Sequence, residues 1–168
     1  KYVCDLDEKR RREFAARFPG VTPVADFDVV LKDPEVLGVV IATTGPMHFS
    51  LARQALEAGK DVFVEKPLVL SSADARELIR IAEARGRLLM VGHLLEYHPV
   101  VNRLKDMVAS DELGKLHYVY AQRLNLGTVR GDENAMWNFA PHDISSILYV
   151  LGREPTDVSA RGQCYLQK

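Results

Sequence analysis

Short apolar runs that alternate with helix-patterned segments leave this chain few architectures. Val36-Leu37-Gly38-Val39-Val40-Ile41-Ala42 is continuously apolar, as expected of a strand buried on both faces of a parallel sheet. Asp61 to Val64 and Leu88 to Val91 repeat the pattern, and Tyr2-Val3-Cys4 opens it in a first strand over residues 1–5 that ends at Asp5. Helical spacings lie between these runs. Residues 7–18 place Phe14 and Phe18 on one face and stop at Pro19-Gly20, and Leu51, Ala55 and Ala58 lead to a stop at Gly59. Ser71-x-x-Asp74 resembles a capping box ahead of Ala75, Leu78, Ile79 and Ala82, with Gly86 after them. The order βαβαβαβ predicts an α/β fold built on a doubly wound parallel sheet.

The pattern changes after Gly92. Pro99 suits the first turn of a helix with Val101, Leu104 and Val108 inward. Residues 116–124 then alternate like a half-buried strand of a different sheet, as do residues 158–166. Between them Ala140-Pro141-His142-Asp143 reads as a helix start, with Ile144, Ile147, Leu148 and Leu151 inward and Gly152 as the stop. A domain boundary is expected near residues 92–98, dividing the chain into 1–95 and 96–168.

Composition excludes several classes. The 168 residues are 47% hydrophobic and 27% charged, with a net charge of −1, which is enough apolar material for a real core and no electrostatic footprint for a nucleic acid. The basic run Lys9 to Arg12 sits between Glu8 and Glu13 and reads as a solvated helix face. Cys4 and Cys164 have neither disulfide-framework nor zinc-ligand spacing, so no metal is expected and a reducing compartment fits. No apolar run reaches the roughly 18 residues of a membrane span. A cytoplasmic location is expected. The opening KYVCD lacks an initiator Met and begins inside a strand, so further sequence is expected upstream and the lack of a signal peptide says little.

Ligands of open α/β sheets bind beyond the carboxyl ends of the strands. The segments expected there are Asp5, Ala42-Thr43-Thr44-Gly45-Pro46, Glu65-Lys66-Pro67 and Gly92-His93. An acid at the end of the second strand of a dinucleotide-binding sheet accepts from the adenosine ribose diol, and Asp5 would fill that role if one strand and its glycine loop lie upstream. Such a carboxylate repels a 2′-phosphate, favouring NAD over NADP. An Asp after a strand serves equally as a turn former.

Together these elements resemble the Gfo/Idh/MocA family of nicotinamide-dependent oxidoreductases. The stretches that carry the resemblance are CDLDEKRRREFAARFPGV, VVIATTGPMHFSLARQALEAGKDVFVEKPL, ELGKLHYV and APHDISSILYVLG, of which the EKP segment is the most specific. The resemblance implies a partial Rossmann doubly wound sheet, without its first strand and glycine loop, followed by the start of an α+β antiparallel-sheet domain that carries the substrate site and in the complete protein often mediates homo-oligomerisation. The stretch RLNLGTVRGDENAMWNFAPHDIS further resembles the subgroup that oxidises the 3-hydroxyl of UDP-N-acetyl-sugars. A non-catalytic protein of the same fold, binding a dinucleotide or a partner without turnover, is the alternative, and the bare α/β pattern would also suit a flavodoxin-like module.

The same resemblance assigns residues. Lys66 would lie between nicotinamide and substrate, orienting the substrate hydroxyl and stabilising the charge that develops on its oxygen. Glu65 would position the cofactor ribose or Lys66 itself, and the proline of EKP often follows a cis peptide. Thr43, Thr44 and His48 would line the dinucleotide, with His93 at the end of the next strand; a helix-surface histidine is the plain alternative for His48. His142 is the candidate general base, its imidazole having a reference pKa of about 6.5 and a first-turn position favouring the neutral form. Many family members carry an acid four residues before this histidine. Here Asn138 stands there, able to hydrogen-bond a sugar hydroxyl but not to take its proton. Trp137 could stack on a sugar or pack a core, as could Phe139. Arg123, Asn125 and Arg130 could meet a sugar-nucleotide phosphate or form solvated loop polarity, and Tyr97 and His98 are further substrate candidates.

Overall fold

The computed structural model describes residues 1–124 and 134–165. Five parallel strands and their connecting helices follow in order: β1 (Tyr2–Cys4), α1 (Glu8–Arg17), β2 (Thr22–Val24), α2 (Phe27–Lys32), β3 (Gly38–Ile41), α3 (Gly45–Glu57), β4 (Asp61–Val64), α4 (Ser72–Arg85) and β5 (Leu89–Val91). A 3-10 turn at Leu94–Tyr97, α5 (Pro99–Ala109) and α6 (Ala135–Leu151) complete the described elements. β1 pairs with β2, and β3, β4 and β5 form a second ladder in that order. Every pairing is parallel. This is the doubly wound α/β arrangement that the alternation predicts, with one βα unit more: β2 and α2 escape the sequence pattern. β2 is three residues long with Pro23 at its centre, and proline, lacking an N–H, is confined to strands with a free edge.

Local chemistry explains the helix limits. Asp7, Asp26 and Ser71 accept from first-turn N–H groups of α1, α2 and α4, and Gly86 ends α4 at φ 59°, a left-handed conformation that costs glycine little. Sheet and helices meet in one core: Ile41, Val62 and Val64 from the strands pack against Ala52, Ala55 and Leu56 of α3 and Leu78, Ile81 and Ala82 of α4. The apolar stripes on α3 and α4 are therefore the faces that the parallel ladder buries. β3 is covered less completely, with Leu37 and Val40 more than 70% exposed, and β1 and β3 each keep one edge unpaired among the described residues.

The described residues divide into two compact units, one comprising 1–93 with 134–141 and the other 94–124 with 142–165. In the second, Tyr149 donates to Asn102 Oδ1 at 2.6 Å and the Lys105 ammonium lies 3.6 Å from the Tyr149 ring centre. The alternating stretches 116–124 and 158–165 form no strand among the described residues. An alternating pattern is only half of a strand; the other half is a partner to take its N–H and C=O groups. Tyr118, 82% exposed, and Val119, 46% exposed, would lie on opposite faces, and neither face is covered. The expected antiparallel sheet is thus not formed here. The helix start expected at residue 140 is also corrected: α6 begins at Ala135, where Asn134 Oδ1 accepts from the Trp137 N–H at 3.0 Å. Pro141 stands inside that helix, where it has no N–H to give.

A polar cluster joins β1 to the turn after α2. Asp33 Oδ2 pairs with the Lys1 ammonium at 2.6 Å and accepts from the Tyr2 hydroxyl at 2.7 Å, while its Oδ1 accepts from the Glu35 N–H at 2.8 Å. Lys1, Tyr2 and that N–H together hold the Asp33 carboxyl down to about 2. The unfolded carboxyl titrates near 4, so the bound form contributes stability above about pH 4 and loses it as the pH falls towards 2. Urea unfolding of the wild type and Asp33→Asn between pH 2 and 7 should show the largest difference in midpoint near neutrality and convergence near pH 2.

Candidate active site at the carboxyl edge of the sheet

Parallel pairing sets Ile41 beside Val64 and Val64 beside Val91, so the three strands deliver their loops to one edge. Thr43 and Thr44 follow β3, Glu65 and Lys66 follow β4, and Gly92 and His93 follow β5. Thr44 is the N-cap residue of α3 but its hydroxyl makes no cap bond; Pro46 has no N–H to give and the Met47 N–H bonds the Thr44 carbonyl oxygen at 2.9 Å. The peptide between Lys66 and Pro67 is cis, as the EKP resemblance implies.

Lys66 has a distinctive environment. Its ammonium donates to the main-chain oxygen of Asn138 at 2.8 Å and to Asn138 Oδ1 at 3.2 Å. Both acceptors are neutral, and among the described residues no carboxylate pairs with Lys66. Two of its three N–H donors are engaged and its charge is not cancelled. Asn138, read from the sequence as a sugar contact, here also orients the lysine.

Glu65 is placed by a residue that the sequence reading did not single out. Its Oε2 accepts from the Lys66 N–H at 3.2 Å, and its carboxylate lies flat against Gly92. A Cβ on Gly92 would stand 3.1 Å from Glu65 Oε2 and 3.4 Å from the Phe63 ring. Only a missing side chain allows that approach; a glycine directly after an apolar strand was the available signal. His93 Nδ1 is buried without a hydrogen-bond partner among the described residues.

The other predicted residues fall as follows. Asp5 Oδ1 accepts from the Asp7 N–H at 2.8 Å, a turn bond, while Oδ2 lies 3.8 Å from Arg10. His48 is not on the helix surface: it is 1% exposed, with Nδ1 2.7 Å from the Pro67 carbonyl oxygen and Nε2 3.0 Å from that of Thr43. Trp137 is half-buried in the first unit. In the second, Tyr97 is exposed, His98 caps α5 by accepting from the Val100 N–H at 3.2 Å, and Arg123 forms a forked pair with Asp143 at 2.8–3.2 Å that raises the guanidinium's pKa. His142 also belongs to the second unit and lies two turns into α6, so the helix-end argument for its neutral form lapses. Asn125 and Arg130 lie outside the described residues. Among those residues no helix is long and apolar enough to cross a membrane, and no cluster of His, Cys, Asp or Glu could hold a metal ion.

A parallel sheet whose carboxyl edge gathers threonine hydroxyls, an uncapped helix start, a close-approach glycine and an uncompensated lysine defines the class of NAD-binding Rossmann oxidoreductases. The model of the oxidoreductase family with an NAD-binding Rossmann fold matches residues 1–93, and the chain belongs to this family, Gfo/Idh/MocA. It is 31% identical to UDP-N-acetylglucosamine 3-dehydrogenase of Acidithiobacillus ferrooxidans, over 95% of this chain and 49% of that protein. With inositol 2-dehydrogenase of Rhodococcus erythropolis it shares 31% identity over 93% of this chain and 46% of the relative. Among solved structures it resembles GenD2 from gentamicin A biosynthesis in complex with NAD, at a TM-score of 0.75 and 30% identity over 90% of this chain and 46% of that one. The chain thus spans about half the length of the relatives it matches.

The Gly92 contact is testable through stability. Gly92→Ala should cost about 1 kcal/mol and Gly92→Val about 3 kcal/mol in urea unfolding, because added atoms at a packed site force their neighbours to move. A fully stable Gly92→Val would mean that Glu65 does not occupy this position.

Proposed function

We propose that the complete protein is an NAD-dependent dehydrogenase that oxidises a secondary hydroxyl of a sugar or sugar nucleotide, with the 3-hydroxyl of a UDP-N-acetyl-sugar as the leading candidate. The observation that carries this is the Lys66 ammonium, held at the carboxyl edge by neutral oxygens of Asn138 alone. Lys60 also donates to a neutral carbonyl oxygen, but it is buried ahead of β4, whereas Lys66 is a lysine at the chain exits. One left with a spare N–H and an uncancelled charge is suited to an oxygen that becomes negative.

The residues at this edge fit a nicotinamide dinucleotide. The Thr43 and Thr44 hydroxyls offer donors, His93 Nδ1 is a buried nitrogen without a partner among the described residues, and Glu65 accepts from a ribose hydroxyl in this proposal. Asp5 accepts from the adenosine ribose in this proposal, and the unpaired edges of β1 and β3 receive the strand that brings the glycine loop. Bound NAD supplies the hydride acceptor. Lys66 orients the substrate hydroxyl through its third N–H and lowers the energy of the alkoxide-like oxygen. His142 takes the hydroxyl proton, for which Asn138 has no basic site. Tyr97, Trp137, Arg123, Asn125 and Arg130 are the proposed sugar and phosphate contacts; Arg123 would have to exchange its Asp143 partner for a phosphate. Residues 96–168 belong to the substrate domain, the complete protein is a cytoplasmic homo-oligomer, and its ligands are small molecules.

The test uses the complete gene product with UDP-N-acetylglucosamine and NAD. Lys66→Ala should lower kcat about 100- to 1,000-fold with NAD affinity largely retained, the usual cost of removing a charge that acts in the transition state. His142→Ala should cost about 100- to 10,000-fold, as general-base removal does. No turnover of nucleotide sugars, free sugars or polyols by the wild type would reject the proposal. Cofactor choice provides a separate measurement: Asp5→Ser should raise the efficiency with NADP relative to NAD, and an unchanged ratio would leave Asp5 as the turn former it also is.

A further inference from the structure

Among the described residues the imidazole of His48 is the one fully buried polar ring of the first unit, and each of its nitrogens faces a main-chain carbonyl oxygen. Nδ1 lies 2.7 Å from the Pro67 carbonyl oxygen and Nε2 3.0 Å from the Thr43 carbonyl oxygen, with 1% of the residue exposed. Thr43 immediately precedes the N-cap of α3, and Pro67 immediately follows Lys66. These carbonyls belong to the loops after two neighbouring strands, β3 and β4. The ladder's last bond runs from the Glu65 N–H to the Ile41 carbonyl oxygen at 2.9 Å, and beyond it no main-chain hydrogen bond among the described residues holds the Thr43 loop against the Lys66–Pro67 loop.

We propose that His48 is a positioning residue: a buried clamp that couples the Thr43 loop to the Lys66 loop and so sets where the lysine ammonium stands relative to the threonine hydroxyls. Carbonyl oxygens only accept, so the ring must donate: with one N–H it serves one loop, and with two it serves both. No other side chain among the described residues spans these loops by hydrogen bonds to their main chain. At 1% exposure the ring is buried as fully as Leu56, Val64 and Leu78, so a lost donor there is not readily replaced by water. Its burial takes His48 out of direct contact with a cofactor, so its effect reaches the reacting atoms only through Lys66 and Thr43. The clamp itself is independent of the substrate, while its consequence for turnover rests on the role proposed above for Lys66.

The complete gene product is to be compared in three forms: wild type, His48→Leu, which keeps most of the volume and removes both nitrogens, and His48→Gln, whose amide can donate again. Hydrogen exchange should rise at least tenfold in segments 43–46 and 66–69 of His48→Leu, with α4 unchanged, and His48→Gln should restore part of that protection. In turnover, kcat of His48→Leu should fall at least tenfold with a smaller change in KM for NAD, and His48→Gln should recover part of the rate. Unchanged protection in 66–69, or a uniform loss across α3 and α4, would overturn the clamp. A wild type without turnover but with the expected exchange pattern would reject the proposed function and leave the clamp standing. If His48→Leu does not fold, proton–nitrogen spectra of the wild-type ring decide: solvent-protected N–H protons on both ring nitrogens support the clamp, and a ring with one protected N–H or none overturns it.

Discussion

The parallel register that sets Ile41, Val64 and Val91 side by side is the constraint on which the rest depends. Because all three strands run the same way, each must be followed by a helix that returns the chain, and each chain exit falls on the same edge. One pairing pattern therefore buries Val62 and Val64 between α3 and α4 and gathers Thr43, Lys66 and His93 at a common boundary. Stability and function are served by opposite ends of the same strands. The apolar bodies make the core, and the residues one or two positions beyond them carry the chemistry in the function proposed above.

At that boundary the polar groups are satisfied in a way that leaves reactivity over. Lys60, nearly as buried as the core, donates to the Asp33 carbonyl oxygen at 2.7 Å and thereby ties α2 to the start of β4. Lys1 and Lys32 pair with carboxylates. Lys66 receives only the neutral oxygens of Asn138, which fix its direction without cancelling its charge. Glu65 is turned aside to its own neighbour's N–H and the face of Gly92. The adjacent acid and base of the EKP segment thus form no ion pair with each other among the described contacts. Their separation is the physical answer to why two opposite charges stand together at the end of a buried strand.

The second unit is built differently. α5 and α6 contain no fully buried residue, and their coupling rests on the Tyr149 contacts with Asn102 and Lys105. The paired charges of Arg123 and Asp143 reinforce it on a partly exposed surface, where such pairs contribute little energy and mainly fix orientation. The lesson for substrate assignment is specific: Arg123 cannot be counted as a free phosphate receptor, because it already has a forked carboxylate partner in the folded chain.

The sequence by itself determined the parallel α/β class, the limits of β4, the Ser71 cap, the Gly86 stop and the EKP segment. Each of these is decided within a few residues, by side-chain periodicity, by an oxygen that reaches the nearest free N–H, or by a backbone angle that glycine adopts cheaply. β2 was not legible because its strand character comes from pairing with β1 and not from its own residues, one of which is proline. The stretch 116–124 failed in the opposite sense, showing the alternation of a strand without a partner to make it one. Only the tertiary structure decided that His48 is buried with its ring nitrogens at two loop carbonyls and not on the helix surface, that Asn138 holds Lys66 across 72 residues of sequence, and that Gly92 makes room for Glu65. Those facts depend on which loops the register brings within hydrogen-bonding distance, and no local pattern encodes a distance between segments that meet only when the sheet closes them together.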